Sequence, residues 1–269
     1  GLKYAFQVFK TNLKAKLQEI GIFYDKKFDC SPSKTENYVI KDNFLSTHTK
    51  TLELIKENSS ILDLGCNDGE LGNYLKIKDC KITGVDKKKE LEKNTLDQYV
   101  SYDLNTGLPD INYKEFDYIL LLDVIEHLIR PEEFLTELKE KIISNSKVKI
   151  LISTPNIAFI IIRLMLLVGF FNYGKRGILD KTHTRLFTFS SFKNLLEQQG
   201  FFIKKSYGIP APFPLAVGNN LLGKALIGIN SFLIRLSKGL FSYQIYYEIE
   251  PNVSLETLLS RANIDKEIY

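Results

Sequence analysis

Ile61-Leu62-Asp63-Leu64-Gly65-Cys66-Asn67-Asp68-Gly69 decides the fold, because an apolar run there turns into a glycine-containing loop and then into the amphipathic stretch Glu70 to Ile77. That order is a strand, a phosphate-or-nucleoside turn and a helix. About seventeen residues beyond Gly69 a second apolar strand, Lys81 to Val85, ends in Asp86, whose carboxylate can accept hydrogen bonds from both hydroxyls of a ribose. The spacing implies an adenosine-type cofactor.

Two cofactors compete for that loop. A dinucleotide fingerprint needs Gly-x-Gly-x-x-Gly so that backbone amides at a helix start can approach a pyrophosphate. Here the middle glycine is Asn67. Asparagine tolerates a left-handed backbone, so the turn survives, but its side chain and the following Asp68 add bulk and negative charge where a pyrophosphate would sit. Such a loop suits a cofactor with a cationic amino acid end, and Asp63 adds a carboxylate within reach of an ammonium. S-adenosylmethionine meets these demands.

At these residues the chain resembles the class I S-adenosylmethionine-dependent methyltransferases, over most of its length. Ile61 to Gly69 is similar to their first motif, Val85-Asp86 to their ribose-binding acid, and Tyr102-Asp103-Leu104 to the segment that sets an acid and a backbone amide against adenine. Phe116 to Leu128, ending Asp123-Val124-Ile125-Glu126-His127-Leu128, resembles the fourth strand and exit loop shared with ubiquinone-biosynthesis O-methyltransferases and many methyltransferases of surface-glycan pathways. Ser153 to Asn156 and Gly177 to Thr188 are similar to a subgroup often fused behind a family-2 glycosyltransferase. The resemblance implies a Rossmann-like, doubly wound α/β sheet of about seven strands with the last antiparallel, and apolar helical insertions after strands 5 and 6. It also implies cofactor binding by Asp63, Gly65, Cys66, Asn67, Gly69, Asp86, Lys87, Asp103, Leu104 and Asp123. Asn67 departs from the family's usual glycine, which bears on affinity.

The 269 residues suit one decorated domain: an N-terminal amphipathic helix and loop over 1–37, a methyltransferase domain over 38–250 with insertions at 156–189 and 209–241, and a tail over 251–269. A hydrophobic fraction of 44% is ordinary for a globular chain. A formal net charge of only +4 argues against a nucleic-acid partner. Cys30, Cys66 and Cys80 are odd in number and lack metal spacing, which fits a reduced, cytoplasmic compartment. The start Gly1-Leu2-Lys3-Tyr4 lacks a charged-then-apolar leader and an initiator Met, so it reads as a domain cut from a longer chain or as a tag remnant.

Leu2, Phe6, Phe9, Leu13, Leu17 and Ile20 fall at helical spacing with lysines on other faces, a basic amphipathic helix that packs on a neighbouring domain or makes peripheral contact with the inner face of an anionic membrane. Ser31 to Asn37 reads as loop and Asp42 to Glu57 as helix. Pro131-Glu132-Glu133 starts a helix reaching about Ile143, with proline in the first turn and acids at the positive end of the dipole. Lys147 to Ser153 is the fifth strand, Ser190 to Gln199 a helix, Phe201 to Tyr207 the sixth strand and Ser242 to Glu250 a last strand antiparallel beside it. The apolar stretch Ile157 to Phe171 spans only about 22 Å as helix, too short for a bilayer core. With Pro210 to Phe241 it either builds a lid over a lipid-linked or membrane-proximal acceptor, or packs as ordinary core or dimer surface.

A sulfonium methyl is already electrophilic, so the enzyme must align the acceptor and remove a proton from an oxygen nucleophile. His127, at the exit of the fourth strand, is the first base candidate and His183 the second; His48 reads as a structural histidine. Asp123, Glu126 and His127 form only a partial metal set, and no metal is assigned. Arg185 either clamps a phosphate or sugar hydroxyl or pairs with Asp180, and Tyr173 is a candidate for stacking on a sugar ring. The expected function is O-methylation of a sugar hydroxyl in surface polysaccharide or a lipid-linked glycan, with a fused or partner glycosyltransferase. The alternatives are methylation of a phenol on a prenylated aromatic and a non-catalytic scaffold.

Overall fold

The computed structural model describes residues 1–19, 24–28, 44–91, 95–143 and 147–252. The expected loop at Ser31 to Asn37, Cys30, the first residues of the expected helix at Asp42 and most of the tail lie outside them.

In chain order the elements are α1 (Leu2–Glu19), α2 (Thr47–Leu54), β1 (Ser60–Leu64), α3 (Glu70–Lys76), β2 (Lys81–Asp86), β3 (Gln98–Ser101), β4 (Tyr118–Leu122), α4 (Pro131–Ile142) and β5 (Lys149–Pro155). There follow α5 (Ile160–Leu167), α6 (Phe189–Gln198), β6 (Phe201–Ile209), α7 (Phe213–Val217), α8 (Leu221–Leu236), α9 (Lys238–Phe241) and β7 (Gln244–Pro251). The strands form one seven-stranded sheet in the order β3-β2-β1-β4-β5-β7-β6. β7 runs antiparallel between β5 and β6, pairing Ile152 with Tyr247 on one side and Tyr207 with Tyr246 on the other. The other neighbours are parallel, as in Ile61↔Ile82 and Ile61↔Tyr118.

The central strands are apolar at nearly every position because helices cover both faces. Alternation divides them: Leu62, Leu64, Ile119 and Leu121 pack with Phe134, Leu135 and Leu138 of α4 and Phe192 of α6. Ile61, Leu120 and Leu151 face the other way, onto Leu71 and Leu75 of α3 and Ile55. All parallel strands end on one edge, where ligands gather in such sheets.

α2 is shorter than the expected Asp42 to Glu57. Its start is set by Ser46, whose hydroxyl accepts from the Thr49 amide at 3.2 Å while the Thr49 hydroxyl accepts from the Ser46 amide at 2.8 Å. The two insertions meet: Phe159 and Ile162 share a buried cluster with Ile178, Leu179, Ala211 and Tyr243. Among the described residues no helix is long and apolar enough to cross a membrane.

Candidate active site

The loop after β1 is built from left-handed residues. Gly65, Asn67 and Gly69 have φ of 82°, 51° and 70°. Asn67 therefore adopts the conformation anticipated for it, and a Cβ at Gly65 would overlap Val124. Below the loop lies a cavity of about 330 Å³, walled by Gly65 to Asp68, by Asp63 at the end of β1, and by His48, Leu122, Asp123 and His127. His48, expected to be structural, is buried in the α2 wall of this cavity.

Asp86 at the end of β2 holds the loop down, accepting from the Asn67 amide at 3.0 Å and the Lys88 amide at 3.2 Å. Asp68 is paired with Lys88 at 2.6 Å, so its charge is locally balanced and repels a phosphate less than the sequence suggested. The unbalanced charge is deeper. Asp63 is 5% exposed, and among the described residues no Lys or Arg pairs with it. Burial first, and Asp86 second, push its carboxyl up to about 7. Burial and the same acids hold the Cys66 thiol well above its ordinary range, which makes it an inert wall of the loop. Asp86 pairs in register with Ser101, so exposed Asp103 and buried Leu104 follow just past the neighbouring strand, and Lys87 lies next to Asp86; none of these three lines the cavity.

Asp123 leaves β4 with φ 56°, an unfavourable backbone for a non-glycine residue. Each of its carboxylate oxygens accepts one side-chain hydrogen bond. Oδ1 accepts from the Ser153 hydroxyl at 2.7 Å and Oδ2 from Gln244 Nε2 at 2.6 Å, which fixes the exit loop to β5 and β7. Asp123 is not among the side chains whose ligand atoms cluster here. Glu126, Leu128 and the segment after α5 are stapled together: the Glu126 carbonyl accepts from the amides of Thr184 at 2.8 Å and Arg185 at 3.2 Å, and the Thr184 hydroxyl reaches the Leu128 carbonyl at 2.6 Å.

That staple brings His183 to His127, with ring centroids 4.8 Å apart at an edge-on angle of 73°. The protonation pattern of both rings follows from their neighbours. His127 Nδ1 lies 3.2 Å from both the carbonyl and the hydroxyl oxygen of Thr182. The hydroxyl's one proton goes to Asp180 at 2.8 Å and a carbonyl only accepts, so His127 Nδ1 carries the proton and donates it. His183 Nδ1 likewise donates to the Ile178 carbonyl at 3.0 Å. Both rings thus keep an Nε2 lone pair when neutral. Burial, then the nearby His127, lower the His183 pKa, while its Ile178 contact opposes them.

Glu126 is 1% exposed, and neither oxygen has a partner in hydrogen-bonding geometry. Burial and then Asp123 hold its carboxyl well above the ordinary range, with Thr154 near enough only to oppose this weakly. Glu126, His127 and His183 offer ligand atoms within 4.8 Å of one another, a different grouping from the one the sequence offered for a metal. Arg185 pairs with Glu132 at 3.5 Å, not with Asp180, whose carboxylate is turned to Thr182. Tyr173 packs edge-on against Phe171 at 5.4 Å and lies outside the cavity wall.

A family model described as a methyltransferase domain matches residues 38–205. Pavine N-methyltransferase of Thalictrum flavum subsp. glaucum is 34% identical over 90 residues, 30% of this chain and 25% of that protein. The chain spans about a quarter of the length of the curated relatives it matches. Among solved structures, a protein of Pyrococcus horikoshii OT3 superposes with TM-score 0.52 at 12% identity, covering 85% of this chain and 100% of that one. An S-adenosylmethionine-dependent methyltransferase of Mesorhizobium loti superposes with TM-score 0.50 at 13% identity, covering 76% and 97%. Identities this low speak for the fold alone.

Proposed function

We propose, from the premise that this chain belongs to the methyltransferase-domain family and uses S-adenosylmethionine, that it methylates a hydroxyl of a sugar in surface polysaccharide or a lipid-linked glycan. The cavity fits that cofactor on one test: Asp63 is a buried carboxylate with no cationic partner among the described residues, a site that an ammonium would complete. Asp63 would hold the amino acid end and Asp86 the ribose hydroxyls, with the Gly65 to Gly69 backbone between them. When bound, the cofactor supplies an electrophilic methyl group on a sulfonium.

The observation that carries the acceptor reading is the imidazole pair. A sugar hydroxyl is a weak nucleophile unless its proton leaves as it attacks, and His127 borders the cavity with Nδ1–H donated away and Nε2 able to accept. Asp180 and Thr182 orient that ring, and His183 stands next to it as the alternative acceptor or the next stop for the proton. The Asp123 to His127 loop resembles both phenol- and glycan-directed methyltransferases; the similarity of Ser153 to Asn156 and Gly177 to Thr188 to a subgroup often fused behind a family-2 glycosyltransferase is what supports a sugar over a phenol. A second reading, methylation of an amine, is favoured by the likeness to pavine N-methyltransferase, which is confined to 30% of the chain.

The test is to supply methyl-labelled cofactor with extracted lipid-linked glycans, a prenylated phenol and amine acceptors in parallel. Label recovered as a sugar methyl ether supports the proposal. Label on phenol or amine with none on glycan reverses it, and binding of S-adenosylhomocysteine without transfer to any acceptor supports a scaffold.

A further inference from the structure

Most of the exposed large apolar side chains among the described residues fall on three helices and their flanks, with Ile77, Ile129 and Phe202 standing singly elsewhere. Leu2, Tyr4, Phe6 and Phe9 lie on α1; Leu164, Leu166, Leu167 and Val168 lie on or just past α5; Leu221, Leu222, Phe232 and Leu236 lie on α8. The exposures are large, 81% for Leu167, 79% for Val168 and 85% for Leu221. α5 and α8 each have an inward face, at Ile162 and Ile234, so their exposed residues are a second apolar face rather than a failed core, while α1 is exposed at every position from Leu2 to Leu13.

The three helices belong to one body. α1 runs beside α7 and α7 beside α8. Phe213 of α7 shares the buried cluster that holds Ile162 of α5, and Asn172, after α5, donates to the Tyr24 carbonyl at 2.7 Å. The segments of α5 and α8 rise from the ends of β5 at Pro155 and β6 at Ile209, the same sheet edge on which β1 delivers Asp63 to the cavity, and α1 joins them through its packing on α7.

The charge of these segments identifies what they meet. α1, residues 2–19, holds four lysines against the single acid Glu19, residues 157–179 hold Arg163, Lys175 and Arg176, and residues 210–243 hold Lys224, Arg235 and Lys238, the last two segments having no Asp or Glu. The whole chain has 36 Lys and Arg against 32 Asp and Glu, so with these ten bases and Glu19 removed the remainder is acidic by five. A second copy of the chain would set two cationic faces against each other, which opposes association. An anionic bilayer complements both features, since apolar side chains enter the acyl boundary while basic ones stay among the headgroups.

We infer that α1, α5 and α8 together form a docking surface for an anionic lipid bilayer, which turns the mouth of the active site toward the membrane. The inference stands on the surface and is independent of which acceptor is methylated.

Sedimentation with lipid vesicles tests it, using the 269-residue chain, neutral phosphatidylcholine vesicles and vesicles containing phosphatidylglycerol. The expected result is binding to the anionic vesicles at least about tenfold tighter than to neutral ones, with each basic residue near the surface contributing about fivefold. Leu167→Glu with Val168→Glu, and separately Leu221→Glu, should each weaken vesicle binding by about tenfold or more while leaving the affinity for S-adenosylhomocysteine as in the parent. The second variant, at an exposed helix start, guards against misfolding of the first, and retained S-adenosylhomocysteine binding certifies each. No vesicle binding by the parent overturns the inference, as does binding that both certified variants retain. Concentration-dependent dimerisation that the variants abolish, with no vesicle binding, overturns it in favour of an interface between copies. None of these outcomes alters whether methyl transfer occurs, so the two readings fail separately.

Discussion

The proposed assignment of Asp63 to the cofactor's ammonium predicts an affinity for S-adenosylhomocysteine that depends on pH in a stated direction and size. Its carboxyl sits at about 7 in the ligand-free protein because burial and Asp86 disfavour the anion. A bound ammonium favours the anion and draws the carboxyl back toward the ordinary carboxylate range, so binding expels the proton wherever the free protein carries it. Between about pH 8 and pH 6 the ionised fraction of such a group falls from about nine-tenths to one-tenth, and Kd should rise about tenfold, or about 1.4 kcal/mol. The same linkage acts on folding. A folded-state pKa above the unfolded one means that this group's contribution is full below about pH 4 and is lost as pH rises to about 7, so added S-adenosylhomocysteine should raise Tm more at pH 8 than at pH 6. Calorimetry in two buffers of different ionisation enthalpy should show about 0.9 proton released per ligand near pH 6. Asp63→Asn should bind weakly with a Kd nearly flat in pH. A parent Kd that does not change over this range, with no buffer-dependent heat, refutes the assignment of Asp63 to the ammonium.

Three further outcomes follow from named contacts. Gly65→Ala forces a Cβ into Val124 at φ 82°, which should cost about 2–4 kcal/mol of stability in chemical denaturation and weaken S-adenosylhomocysteine binding in calorimetry; parent-like values for both would contradict the loop geometry. Asp86→Ala removes a carboxylate that pins the Asn67 amide and that the proposed cofactor pose assigns to the ribose hydroxyls, so on that proposal S-adenosylhomocysteine affinity by calorimetry should fall about 100-fold or more. Asp180→Ala frees the Thr182 hydroxyl proton to turn toward His127 Nδ1 and admits the wrong tautomer; kcat should drop about tenfold with the Kd for S-adenosylhomocysteine unchanged, and an equal loss in both would make Asp180 merely structural.

The sheet was legible because its determinants are local. The run into Gly65, the acid at the end of β2 and the apolar exit of β4 each lie within about ten residues, where periodicity and glycine chemistry speak directly. Asn67 is the sharpest case, since its tolerance of a left-handed backbone could be stated before any coordinates and it has φ 51°. The start of α2 was not legible: its capping box carries Thr49 in place of the Glu or Gln that usually marks the third position. β3 is four residues of half-exposed Gln98 to Ser101 and has no periodicity to find.

Side-chain partnerships were harder, because they are settled by folding over longer distances. The juxtaposition of His127 and His183 depends on the Glu126 carbonyl receiving the Thr184 and Arg185 amides, a backbone contact across an insertion. Lys88 neutralising Asp68, and Glu132 rather than Asp180 engaging Arg185, are likewise tertiary outcomes. The cavity position of His48 follows from how α2 packs, for which the sequence offers no signal. One clue was available: Asp180-Lys181-Thr182 has the form of an Asx turn, with Asp180 Oδ1 accepting from the Thr182 amide at 2.8 Å, and it marks an ordered loop next to the second histidine.

The measurement that bears most directly on the account is turnover of His127→Ala on the extracted acceptor, followed as S-adenosylhomocysteine produced, beside its Kd for the same product. Loss of the base that takes the hydroxyl proton should remove about 10²–10⁴-fold from kcat while the Kd stays within about twofold of the parent. A variant that turns over within a few-fold of the parent, and whose double mutant with His183→Ala does the same, would contradict histidine base catalysis at this cavity.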